Sequence, residues 1–231
     1  MYFGLYNLPG TFQQMMNSIF RELLHKGVLA NYMDNFIIPA RTMEELEERT
    51  IRFLKIAEKH NLCFKWSKCD FNMEEIPILE VIVGKGQIKM EQEKIKAVKE
   101  WKTPGKVKDV ESFLGFANFY RHFIQNFSHI AKLLNELKGK KEWKWEEEHQ
   151  KAFEELKERI TSQPVLALPR KEGKFRIEMD TSGHTIGEVL FQEQEGKWKP
   201  IAFLSRTMQP AERNYEIYDK GLLAIVEALS K

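Results

Sequence analysis

Tyr32-Met33-Asp34-Asn35-Phe36-Ile37-Ile38, with Phe3-Gly4-Leu5-Tyr6-Asn7-Leu8-Pro9-Gly10-Thr11-Phe12-Gln13 upstream of it, carries the most telling pattern in the chain. Two apolar runs, Val28 to Met33 and Phe36 to Pro39, flank Asp34-Asn35, a pair that favours a tight turn. The expectation is a β-hairpin with Asp34 at its exposed tip. Ahead of it, Thr11 to Lys26 carries Phe12, Met15, Met16, Ile19, Phe20, Leu23 and Leu24 at the i, i+3, i+4 spacing of an amphipathic helix, entered from Pro9-Gly10. Behind it, Thr42 and Glu45 form a capping-box pattern that opens a helix running to Asn61.

Working outward, short strands are predicted around Cys63 to Trp66, at Phe71, and from Ile76 to Val83, with Gly84-Lys85-Gly86 as a hairpin loop. From Glu91 to about Ile160 the period is helical, interrupted by the Thr103-Pro104-Gly105 stop. Gln163-Pro164 to Pro169 reads as an extended boundary. Beyond it, Lys174 to Met179 alternates with Phe175, Ile177 and Met179 inward. Two more strands are predicted at Ile186 to Gln192 and Trp198 to Ser205, joined at Gln194-Glu195-Gly196, and a last helix at Tyr215 to Leu229. The fold class is therefore α+β. Its expected divisions are a partial palm at 1–89, a helical thumb-like unit at 90–169 and an incomplete strand-and-helix domain at 170–231.

A chain of 231 residues with 42% hydrophobic content can bury a core, and 30% charged residues split into Lys+Arg 36 and Asp+Glu 34 give a net charge of only +2. Such a balance offers no global attraction to polyanions, so any nucleic-acid face has to come from local clustering. Two cysteines, Cys63 and Cys69, and no secretory pattern at the start point to an intracellular protein, cytoplasmic or nuclear. The apolar runs are far too short to span a bilayer, so no membrane partner is expected. Cys63, Cys69 and the scattered histidines show no zinc spacing.

The paired stretches quoted first resemble two polymerase motifs of reverse transcriptases from gypsy-like LTR retrotransposons. Lys68-Cys69-Asp70-Phe71, Ser112-Phe113-Leu114-Gly115-Phe116-Ala117-Asn118-Phe119-Tyr120-Arg121 and Pro164-Val165-Leu166 follow in that family's order. Asp180-Thr181-Ser182, Ile186-Gly187, Ser205-Arg206 and Leu222-Leu223-Ala224-Ile225-Val226 resemble its RNase H segment, so the resemblance covers essentially the whole chain. It implies an ancestral RNA-directed DNA polymerase with RNase H.

The family's hairpin tip offers two adjacent carboxylates, and a third comes from a strand before the Phe-Gly-Leu motif; together they hold a metal pair for in-line displacement. Asp34 matches the first, Asn35 replaces the second with an amide, and the third would fall before Met1. One of three is expected here, enough for weak Mg²⁺ binding by Asp34 and too little to organise two ions. RNase H chemistry needs about four carboxylates. Asp180 matches the first, Gly221 stands where a Glu is expected, Glu216, Asp219 and Glu227 share the same presumed helix, and the remaining positions would lie beyond Lys231. Glu80 stands where the family has Gly in the loop that grips the primer.

Lysines crowd the stretch from Lys65 to Lys108, among them Lys65, Lys68, Lys94, Lys96 and Lys99, which are the candidate contacts for nucleic-acid phosphates. Glu74, Glu75, Glu91, Glu93 and Glu100 share the region, so a solvated mixed face is the competing reading. Phe113, Phe116, Phe119, Tyr120 and Phe123 recur at helical spacing and read as core rather than as a stacking platform. The expected function is a catalytically disabled reverse transcriptase and RNase H-like fragment that at most binds nucleic acid, an RNA/DNA hybrid in particular, with no productively bound Mg²⁺. Two alternatives stay open. One is a protein-interaction or assembly subunit whose partner covers exposed edges; the other is a part of an active polymerase once joined to an upstream segment. Whether the chain alone is an enzyme stays open with them.

Overall fold

The computed structural model describes residues 8–139, 142–162, 165–181 and 184–230. The chain falls into two compact units, Met1–Glu74 and Glu75–Lys231. Phe3 to Asn7, Gln163, Pro164, Ser182, Gly183 and the side chains of Asp180 and Thr181, all named above, lie outside the described residues.

In the first unit the expected single helix is two, α1 (Leu8–Ile19) and α2 (Arg21–His25), joined at Phe20. Their shared apolar face buries Met16, Phe20 and Leu23. The hairpin follows as β1 (Ala30–Tyr32) and β2 (Asn35–Ile37), paired Tyr32↔Asn35 and Asn31↔Phe36. Its turn is therefore Met33-Asp34, one residue earlier than Asp34-Asn35, and Asn35 is the first residue of β2. The shift has a local cause, because Met33 takes the positive φ of 57° and its N–H donates to Gln13 Oε1 at 2.6 Å. α3 (Met43–Lys59) starts on Thr42, whose Oγ1 accepts from Glu45 N–H at 3.2 Å. The Glu45 carboxylate reaches back to Arg41 N–H at 2.7 Å. Phe53 of α3 stacks on Phe20 with ring centroids 4.9 Å apart, and Phe36 of β2 meets Phe20 edge-on at 5.3 Å. Helix, hairpin and helix thus share one aromatic core. The strand predicted at Cys63 to Trp66 is absent; a 3-10 turn at Trp66–Lys68 is present instead.

The second unit opens with β3 (Glu75–Ile78), β4 (Val81–Gly84) and β5 (Gln87–Met90), an antiparallel meander. Ile76 to Val83, expected as one strand, is a hairpin folded at Leu79-Glu80. Neither residue is a turn former, yet both hold positive φ, 47° and 65°, so no local turn signal marks the reversal and only the resemblance places a loop at Glu80. Lys85-Gly86 makes the β4–β5 turn as expected.

Helices α4 (Gln92–Lys99), α5 (Val107–Phe119), α6 (Phe127–Glu136) and α7 (Glu147–Thr161) follow, with the Thr103-Pro104-Gly105 stretch between α4 and α5. Their inward positions, including Val98, Val110, Phe113, Leu134, Phe153 and Leu156, form the largest core. β6 (Val165–Ala167) then returns to pair antiparallel with β5, Ile88↔Leu166. The stretch read as a boundary therefore contains the fourth strand of the β3-β4-β5-β6 sheet.

β7 (Phe175–Thr181), β8 (Thr185–Gln194) and β9 (Lys197–Thr207) form a three-stranded antiparallel sheet, with Glu195-Gly196 at the tight turn. α6 packs on β9, and α8 (Ile217–Leu229) packs on β7 and β8. Phe175 and Met179, expected inward, are 53% and 38% exposed. β7 is an edge strand, and its apolar face is only partly covered among the described residues.

Two polar locks hold this sheet in place. Ser205 Oγ on β9 accepts from Ser128 N–H at 2.9 Å, in the first turn of α6, where the preceding Asn126 supplies no side-chain cap. Arg121 donates to the Ser205 carbonyl oxygen. Gln192, fully buried, donates from Nε2 to the carbonyls of Arg170 and Glu172 and accepts at Oε1 from Arg170 N–H, all within 3.0 Å. That amide ties the segment from Arg170 to Glu172 to β8.

Candidate nucleic-acid interface and hairpin carboxylate

The hairpin of the first unit presents Asp34 and Asn35 to solvent, both exposed. Gln13 fixes the turn from α1 through Met33 N–H, and Gln13 Nε2 in turn donates to Asn17 Oδ1 at 2.8 Å, so the tip is braced by the helix ahead of it. A carboxylate beside a neutral amide is a single anionic ligand. No group of three or more His, Cys, Asp or Glu side chains suited to a metal ion occurs among the described residues. The donors present at the tip do not fit a paired-metal site.

Asp180 belongs to β7 and its backbone pairs with Gly187 of β8. Gly221 lies within α8, and a Cβ built there meets nothing within 4 Å, so the position has open space for a side chain. Glu227, on the same helix, reaches Arg206 Nε at 3.2 Å. The Arg206 guanidinium also grips Glu212 through two oxygens at 2.7 and 3.0 Å and holds that carboxyl below the usual carboxylate range. Glu227 is thus spent on joining α8 to the end of β9.

The candidate lysines divide between the units. Lys65 and Lys68 flank Trp66 in the first unit, all three exposed, with Trp66 against Phe71 at 5.8 Å. Lys94, Lys96 and Lys99 lie on α4, which buries Ile95 and Val98. Lys96 and Lys99 are exposed. Lys94 is paired to Glu80 at 3.0 Å. Lys89, on β5, is held by both oxygens of Glu75 at 2.9 and 2.8 Å, a contact that lowers the Glu75 carboxyl below its ordinary value.

Sequence reasoning missed the partners of Lys89 and Lys94. Glu75 and Glu80 stand 14 residues before them, and only the β3–β5 meander brings each pair together. The aromatic stripe is core at Phe113, Tyr120 and Phe123, whereas Phe119 is 52% exposed.

A reverse transcriptase (RNA-dependent DNA polymerase) family model matches residues 1–117, and a model for the RNase H-like domain found in reverse transcriptase matches residues 145–231. The chain belongs to the reverse transcriptase family, as the region of an LTR-retrotransposon polyprotein that runs from polymerase into RNase H. It is 40% identical to the Retrovirus-related Pol polyprotein from transposon 297 of Drosophila melanogaster over 98% of this chain and 21% of that protein. It is 31% identical to the Transposon Tf2-7 polyprotein of Schizosaccharomyces pombe over 98% of this chain and 17% of that protein. It therefore spans about a fifth of the length of such relatives. The fold matches a foamy viral protease-reverse transcriptase solved with an RNA/DNA hybrid, at a TM-score of 0.85 and 22% identity over 99% of this chain and 31% of that one. The same protein solved with dsDNA matches at 0.86 and 23% identity, over 100% and 48%. No helix among the described residues is long and apolar enough to cross a membrane.

Proposed function

We propose that this chain holds nucleic acid, an RNA/DNA hybrid first of all, and that it does not by itself perform the polymerase chemistry of its family. In this reading residues 1–89 are a palm fragment, 90–169 a thumb-like helical unit and 170–231 an RNase H-like segment. The observation that carries it is Asn35, a neutral exposed amide beside Asp34 where the family's tip has two carboxylates. An amide cannot neutralise part of the charge of a second metal ion, so Asp34 is left to bind a single Mg²⁺ weakly. Gly221 removes a carboxylate from the RNase H-like segment in the same way. Asp180 is the remnant of that site. Binding needs no metal pair, because lysine contacts to phosphates act without one. Lys65, Lys68, Lys96 and Lys99, exposed in the two units, supply such contacts, with Lys94 beside them on α4. The relatives whose fold is shared were solved on an RNA/DNA hybrid and on dsDNA.

The test is primer extension by the purified chain with Mg²⁺ or Mn²⁺, run beside anisotropy of a labelled RNA/DNA hybrid across a salt series. Salt-sensitive binding without extension is expected. Metal-dependent extension would overturn the reading, and so would the absence of binding at low salt. A protein-interaction role is favoured by one separate observation: α8 exposes Tyr218 at 81%, Leu222 at 61%, Val226 at 65% and Leu229 at 74%, spaced along one side of the helix. A monodisperse monomer in light scattering argues against that role.

A further inference from the structure

We propose that the Ser205 hydroxyl straps the β7–β9 sheet to the helices α5–α7, so that sheet and helices open as one body with no hinge between them. The strap needs no ligand, because it begins with a helix that does not cap itself. The first N–H groups of a helix have no partner within it, and an N-cap side chain reaches them from an extended backbone. Asn126, at the N-cap of α6, instead holds φ 57° and ψ 29°, and its side chain makes no cap. The Ser128 N–H donates to Ser205 Oγ at 2.9 Å, and that hydroxyl donates on to Ser128 Oγ at 3.1 Å. α6 thus takes its cap from β9, 77 residues further along the chain.

The same residue is held through its backbone. β9 is an outer strand of its sheet, where backbone groups face away from the ladder. Arg121 donates to the Ser205 carbonyl oxygen, and its guanidinium lies 5.8 Å over the ring of Phe127, the first residue of α6. Phe203, two residues before Ser205 and so on the same face of β9, packs against the core that holds Phe113, Leu134 and Leu156. Hydroxyl, carbonyl and apolar face of one short stretch of β9 are therefore all engaged by the helical unit.

The connection between helices and sheet is anchored at both ends. β6, which follows α7, is pinned to β5 by the pairing Ile88↔Leu166, and Gln192 of β8 holds Arg170 and Glu172 through hydrogen bonds of 2.8 to 3.0 Å. Residues 75–231 accordingly form one compact unit. To swing about this boundary, the sheet would have to strip the Ser128 N–H and the Ser205 carbonyl of their partners and uncover Phe203 in the same movement. Polar groups left unpaired at a part-buried contact are costly, which favours opening of the whole body over bending at its middle.

Native-state hydrogen exchange of the full chain, unaltered and as Ser205→Ala, tests the strap. In the unaltered chain the slowest amides of α5, α7 and β8 are expected to share one opening equilibrium. Ser205→Ala removes the cap and is expected to speed all of them by a common factor of about 3–30. Unchanged exchange, or faster exchange confined to the first turn of α6 or to the sheet alone, overturns the proposal. So does a β8 that opens independently of the helices in the unaltered chain. If Ser205→Ala does not fold, Ser128→Cys with Ser205→Cys, in a chain carrying Cys63→Ser and Cys69→Ser, gives a second route. The two hydroxyl oxygens are close enough for that disulfide, which is expected to form on mild oxidation and to slow helices and sheet by one factor. A disulfide that slows only one of the two, or that does not form in the folded chain, overturns the strap as well.

Discussion

Glu195 occupies the first position of the β8–β9 turn at φ 57°, between Arg170 at 2.7 Å and Lys199 at 3.0 Å. Hydrogen bonds from the two cations, first Arg170 and then Lys199, lower its carboxyl from 4.5 to about 2. A carboxyl depressed in the folded state stabilises the fold while it is ionised, fully above its unfolded value near 4.5, and loses that contribution as pH falls through about 2. Glu195→Gln is therefore expected to melt below the unaltered chain at pH 7, with the difference closing between about pH 4.5 and about pH 2. Melting curves across that range check it, and a difference independent of pH would assign the effect to turn geometry instead. Residue identity also shows two of the positions on which the proposed function rests. Asn35 and Gly221 are visible in the sequence as an amide and a missing side chain. Glu80 is visible too, but its partner Lys94 is not, because the pair is made by a turn that carries no turn residue.

Elements follow the hydrophobic period wherever one face of a segment is buried. α3 begins on Thr42, as its capping pattern requires, and α5 and α7 run where the 3.6-residue stripe places them. The same stripe sorts the aromatic residues of α5. Phe113 is fully buried, with its ring 4.6 Å from Phe153 and 5.5 Å from Trp101, while Phe119 is 52% exposed. Phe113→Ala is expected to cost about 3–5 kcal/mol, and Phe119→Ala about 1 kcal/mol or less, in urea denaturation. Equal costs would mean that the aromatic run is not a core stripe; weakened hybrid binding by a folded Phe119→Ala variant would point to a stacking role for that ring. Two elements escaped the period for physical reasons. Ile76 to Val83 is apolar at every position but Glu80, and a single charged residue in such a run does not reveal that it reverses at Leu79-Glu80. β6 has three residues, too short to carry an alternation, and it is defined by pairing with β5 far back in the chain.

At the scale of the whole molecule a net charge of +2 cannot draw a polyanion, so any affinity for nucleic acid must come from a patch. On α4 that patch is Lys96 and Lys99, and their joint replacement by Gln is expected to weaken hybrid binding and flatten the log–log salt slope by roughly two. An unchanged slope would move the interface away from α4, with Lys65 and Lys68 the next candidates. The α+β class, the family and the helix-hairpin-helix order of the first unit were determined by the sequence alone. They rest on local patterns: apolar periodicity, caps, Gly-containing turns and contiguous motifs. Tertiary structure alone decided which lysines are already neutralised, that Ser205 caps α6 from 77 residues away, that Gln192 secures the segment after β6, and that Glu227 is engaged by Arg206. Each of these joins groups distant in sequence through one or two polar contacts, and such contacts leave no period in the chain. They exist only once burial of the apolar faces has brought the strands and helices together.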